Sequence, residues 1–96
     1  MRLSGEDRQN IKRCAEETFG ADVRVYLFGS RADDSRAGGD IDLYVVPGER
    51  EDLFHKRLDF LARLLASMEE QRIDVVVARD ETRLIEREAL RTGVLL

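Results

Sequence analysis

Apolar residues in this chain switch between two spacings, and the switches mark its elements. Ile11, Cys14, Ala15 and Phe19 recur every three or four residues, the period of a helix with one buried face. Ser4 stands ahead of that run as an N-cap, Asp7 follows as the acid of a capping box, and Gly20 stops it. Val23 to Phe28 is rich in apolar residues and reads as a buried strand. A polar stretch, residues 31–39, ends in Gly38-Gly39 and leads into a second strand, Ile41 to Val46, closed by Pro47-Gly48. Residues 30–33 are placed to begin a short helix whose amides point at phosphate. Helical spacing returns over about residues 51–71. There Phe54, Leu58, Leu61, Leu65 and Met68 form a 4-3-4-3 stripe expected to pack on the sheet. Leu53, Phe60 and Leu64 widen it, which fits either a broad core contact or a partner surface. A third strand follows over residues 73–78, then a helix over about 82–92 that ends at Gly93. Val94-Leu95-Leu96 is left to add an edge strand or to dock on a partner.

This order predicts an α/β (α+β) fold, a small mixed sheet of three or four strands with helices mainly on one face. A length of 96 residues sets one domain, 1–96. No Gly-x-Gly-x-x-Gly is present, so a Rossmann dinucleotide site is not expected.

The chemistry gathers on the first three strands. Gly29-Ser30 ends the first, where a glycine lets backbone approach a ligand and a serine adds a hydroxyl, the makings of a phosphate cradle. Asp40 and Asp42 begin the second. Residues i and i+2 of a strand share a face, so the two carboxylates lie roughly 7 Å apart on one side. Ile41 and Leu43 point into a core. Asp74 opens the third strand and joins the pair if that strand lies alongside. Such alternation is often only a solvated face, but aspartate is disfavoured in strands and like charges on one face repel. Three aspartates on neighbouring strands make a hard oxygen site suited to Mg²⁺. Two such ions about 4 Å apart activate an attacking hydroxyl and stabilise a leaving pyrophosphate.

The combination Phe28-Gly29-Ser30, a nine-residue spacer, Asp40-Ile41-Asp42-Leu43 and a later Asp74 resembles the minimal nucleotidyltransferases of the DNA polymerase beta superfamily. Ser30-Arg31-Ala32 and the ending Ile85-Glu86-Arg87-Glu88-Ala89-Leu90, with Gly93-Val94-Leu95-Leu96, resemble them too. The resemblance runs from about Val23 to the end. It departs at Asp34, where these proteins usually have glycine, and at Gly39, where serine is common. Asp33 and Asp34 place negative charge near the cradle, which opposes a triphosphate unless metal or arginine offsets it.

The resemblance implies a nucleotidyltransferase fold and a transfer of nucleoside monophosphate, with ATP the expected donor. Gly29 and Ser30 hold the β- and γ-phosphates. Asp40 and Asp42 bridge two Mg²⁺ ions, and Asp74 completes the ion at the attacking hydroxyl and takes its proton. Arg31 either neutralises the triphosphate or is an ordinary surface arginine. Tyr44 shares the carboxylate face, where it packs or meets a base. His55 reads as a surface residue. Larger relatives carry a second domain for the acceptor, and none is found in these residues, so the site is expected to be open on one side.

Three functions are then expected, in this order. The chain is an antitoxin that transfers AMP to a tyrosine of a helical HEPN toxin, the partner with which minimal nucleotidyltransferases of this kind are paired. Or it is the catalytic subunit of a split transferase for a small molecule of the antibiotic type. Or it is a non-catalytic antitoxin that acts by binding alone.

Charge and composition narrow the setting. Charged residues make up 38% of the chain, yet the net charge is −4, so a general basic face for nucleic acid is not indicated. The single cysteine, Cys14, forms no internal disulfide and fits a reducing compartment. No apolar run is long enough to span a membrane, and the first residues do not read as a signal peptide. A cytoplasmic protein is expected.

Overall fold

Ser4 begins the first helix as its position predicts. In the computed structural model, which describes residues 3–29, 41–68 and 72–96, the Ser4 hydroxyl accepts from the Asp7 amide at 3.0 Å. Helix α1 (Gly5–Phe19) carries Glu6 and Asp7 in its first turn, where the macrodipole favours negative charge. It ends at Gly20, whose φ of +99° suits glycine. Then come β1 (Arg24–Phe28), β2 (Ile41–Val46), α2 (Leu53–Ser67), β3 (Ile73–Val77), α3 (Leu84–Thr92) and β4 (Val94–Leu95).

The strands form one mixed sheet in the order β3-β2-β1-β4. β1 runs antiparallel to β2 and to β4, and β2 runs parallel to β3. A parallel pair needs a crossover, and α2 supplies it. The last residues thus take the edge-strand alternative. Leu96 donates its amide to the Val25 carbonyl at 2.9 Å and buries its side chain in the core. Pro47 ends the β2–β3 ladder because it has no N–H for the next carbonyl, that of Ala78. Arg50 donates to that carbonyl at 3.3 Å instead.

Alternation along β2 divides the interior. Ile41, Leu43 and Val45 face one side with Val25, Leu27 and Val75, and there α1 and α2 pack. Phe19 and Phe60 meet edge to face at 5.4 Å at the centre of this layer. Cys14 lies within it, as the helical spacing predicts, and burial pushes its thiol pKa up. Phe28, Tyr44 and Ala78 face the other side, where α3 covers them through Ala89. Among the described residues, two helices on one face and one on the other make the α+β arrangement expected, with helices mainly on one face. Among the described residues no helix is long and apolar enough to cross a membrane.

The long helix corrects the sequence reading twice. It spans Leu53–Ser67 rather than 51–71. Its buried positions are Phe60, Leu64 and the following Met68, with Leu53 and Leu61 packed beside them. Three members of the expected stripe, Phe54, Leu58 and Leu65, are 71%, 45% and 51% exposed. Two adjacent apolar stripes satisfy the same helical period, so spacing does not choose between them. Contacts across space do. Phe60 meets Phe19, and Arg57 donates through Nε to the Val75 carbonyl at 2.8 Å, and both orient the helix. His55 is on the surface as expected, with Nδ1 2.7 Å from Asp52 Oδ1.

The Thr18 hydroxyl is buried in α1 and has no hydrogen-bond partner among the described residues. A buried unpaired hydroxyl is costly, and valine has the same shape without it. Thr18→Val should therefore raise stability by about 1 kcal/mol, read as a higher urea midpoint with an unchanged slope.

Candidate active site

The strand register decides which carboxylates meet. On β2, Asp42 points to the face opposite Ile41 and Leu43, and it pairs in register with Asp74 of β3. Neighbouring strands lie about 4.8 Å apart, so these two side chains rise side by side. Asp42 is half-buried and Asp74 is exposed. Both share the α3 side of the sheet, at the starts of β2 and β3, ahead of Tyr44 and Val76 on the same face. Like charges directly opposite on a sheet are unfavourable, and a divalent cation reverses that sign.

β1 brings the third component. Phe28 pairs with Asp42, so Gly29 leaves the sheet beside the carboxylate. Its φ is +75°, and a Cβ built there would collide with Asp42 Oδ2 and lie 3.3 Å from Cγ. Glycine is required at this position both by its conformation and by the close approach. Gly29→Ala should cost about 1–2 kcal/mol of stability. By displacing Asp42 it should also lower, about 10²-fold, the transfer that the motif resemblance implies. Thermal denaturation and initial rates on the same preparation check the two effects.

Gly29, Asp42 and Asp74 are thus brought together from three strand ends. Asp40, Ser30 and Arg31 lie outside the described residues, as do Asp33, Asp34, Gly39 and the expected short helix at residues 30–33. No group of three potential metal ligands occurs among the described residues. The pair that is described is a hard oxygen set, and it fits Mg²⁺, which takes few carboxylates and keeps other positions for phosphate or water.

Beneath the site lies a polar network that periodicity did not reveal. Tyr44 is fully buried, so it packs rather than meeting a base, and its hydroxyl donates to Glu86 Oε1 at 2.8 Å. Glu86 of α3 is itself fully buried. It also accepts from the amides of Arg79 and Asp80 at 3.2 and 3.0 Å and from Arg83 at 3.1 Å. Burial pushes the Glu86 pKa up. The Asp80 amide, the Tyr44 hydroxyl, the Arg79 amide and the Arg83 charge outweigh it and hold the carboxyl below its ordinary range. Burial and the Glu86 hydrogen bond raise Tyr44 far above the ordinary phenol. The available signal was a glutamate three residues before Ala89, on the inward face of a short helix.

Residues 9–96 match the family described as Polymerase beta, Nucleotidyltransferase. The chain belongs to that family. The match covers the strands that carry Gly29, Asp42 and Asp74, and α3 with Glu86. No curated protein and no solved structure matches significantly.

Proposed function

We propose that this nucleotidyltransferase moves AMP from ATP to a hydroxyl, that of a tyrosine on a helical HEPN toxin, and so acts as an antitoxin. The observation that carries the transfer reading is the in-register pairing of Asp42 with Asp74, with the Gly29 backbone against Asp42. Asp42 and Asp74, with Asp40, would hold two Mg²⁺ ions. Bound there, the ions supply Lewis acidity that acidifies the hydroxyl and neutralises the departing charge. From the resemblance, Gly29 and Ser30 would hold the β- and γ-phosphates, Arg31 would offset their charge, and Asp74 would accept the hydroxyl proton. The oxygen–α-phosphorus bond forms, the bond to the β-phosphate oxygen breaks, and pyrophosphate leaves.

The partner and the nucleotide are supported by the resemblance of the motifs to minimal nucleotidyltransferases paired with such toxins. The test is transfer of label from α-labelled ATP, with Mg²⁺, onto the co-purified partner, with Asp42→Asn as control. Label on a partner tyrosine that is lost in the variant supports the reading. A stable complex without label, relieving toxicity equally well in the variant, would replace it with inhibition by binding alone.

A further inference from the structure

We infer that α2 and the adjoining open edge of β3 form a docking surface for an acidic amphipathic helix of a partner protein. The inference rests on the proposed function only in that both call for a helical partner. Its surface is read from exposure, spacing and charge. Phe54, Leu58, Leu61 and Leu65 follow a 4-3-4 spacing, the seam by which one helix packs on another. The described residues leave most of this seam uncovered. Phe54, Leu58 and Leu65 are substantially exposed, and Leu61 is half-buried.

Alongside Phe54 runs an open groove of about 440 Å³, floored by β3 and bordered by Arg57, Arg79 and Arg83. No acidic side chain lines it among the described residues, although the chain carries a net charge of −4. Arg83 is paired with Glu86, and among the described residues Arg57 is anchored through Nε alone. Arg79 makes no ion pair among the described residues. A partner with carboxylates flanking its apolar stripe complements both features.

Two other occupants fit worse. An added strand needs the outward backbone groups of β3, but Arg57 already caps the carbonyl of Val75 at the middle of that edge. A second copy would bring the same arginine-bordered groove, in which no acidic residue is found among the described residues, so it supplies no complementary charge.

Two synthetic heptad peptides test the inference on the intact chain. Both carry leucine along one stripe, one flanked by glutamate and the other by lysine. The glutamate peptide should bind at least about 10-fold more tightly and perturb the amide resonances of α2 and β3. Leu58→Glu and Arg79→Glu should each weaken it at least about 10-fold while leaving the circular dichroism spectrum unchanged. Asp42→Asn should bind it like the wild type, which separates this surface from the transfer chemistry. Equal binding of the two peptides, or perturbation centred on α3, would overturn the inference. So would a concentration-dependent dimer that Leu58→Glu abolishes, since a second copy would then cover the seam.

Discussion

Asparagine at position 42 should lower nucleotidyl transfer at least about 10³-fold and leave a folded protein, a loss of roughly 4 kcal/mol of transition-state stabilisation. Asp42 stands in register with Asp74 and against the Gly29 backbone, so one substitution alters the oxygen set and the glycine contact together. The fold should tolerate it, because the core side of β2 is built from Ile41, Leu43 and Val45. Without metal, the pairing of two like charges across the strands opposes folding by a few tenths of a kcal/mol up to about 1. Asp74→Asn should therefore leave stability unchanged or slightly higher in chelator while also abolishing transfer. Saturating Mg²⁺ should raise the melting temperature of the wild type, and that increment should vanish in either variant. Initial rates with labelled ATP and melting curves with and without Mg²⁺ check these outcomes. Full activity in Asp42→Asn would remove this site from the mechanism.

Truncation of Glu86 should produce the largest loss of stability, roughly 2–4 kcal/mol for Glu86→Ala, or a fall of more than about 8 °C in melting temperature for a domain of this size. The carboxylate is the common acceptor for Tyr44, Arg83 and the amides of Arg79 and Asp80. Without it, a fully buried hydroxyl loses its partner and the turn entering α3 loses its anchor. Glu86→Gln keeps the shape but turns an NH₂ toward donors, so an intermediate loss of about 1–2 kcal/mol is expected.

The pH dependence has a defined sign at both ends. Glu86 is held below its ordinary range, so the unfolded chain binds the proton first. Its contribution is complete above the unfolded carboxylate pKa, about 4.3, and is lost as pH falls through the folded value. Tyr44 is raised, so its contribution is complete below about pH 10 and is lost as pH rises toward the folded value. Denaturant titrations across pH should show a flattened acid limb in Glu86→Ala and a flattened alkaline limb in Tyr44→Phe. An acid limb unchanged in Glu86→Ala would show that other carboxylates govern acid unfolding.

How legible the protein was depended on whether the relevant information is local. Strand β2 falls on residues 41–46 as the alternation predicts, and Asp42 occupies the face left over when Ile41 and Leu43 point inward. Asp74 was expected to join it if the third strand lay alongside, and the parallel register places the two directly opposite. The third helix begins at Leu84 rather than near residue 82 because Asp80 takes the amide and hydroxyl of Thr82 at 3.0 and 2.7 Å, holding the chain in a turn.

Most of the elements and the sheet class were legible from consecutive residues, because backbone period and side-chain alternation are local properties, and the family was legible as a resemblance carried by the Phe28-Gly29-Ser30, Asp40-Ile41-Asp42-Leu43 and Asp74 motifs. Tertiary structure alone decided which stripe of α2 is buried, since two faces of similar apolarity are separated only by what each one meets. It alone made Glu86 a buried acceptor, since its donors come from β2 and from the segment between β3 and α3, which the folded chain brings together. It alone set Gly29 against Asp42, a contact between strand ends thirteen residues apart whose distance depends on the antiparallel register.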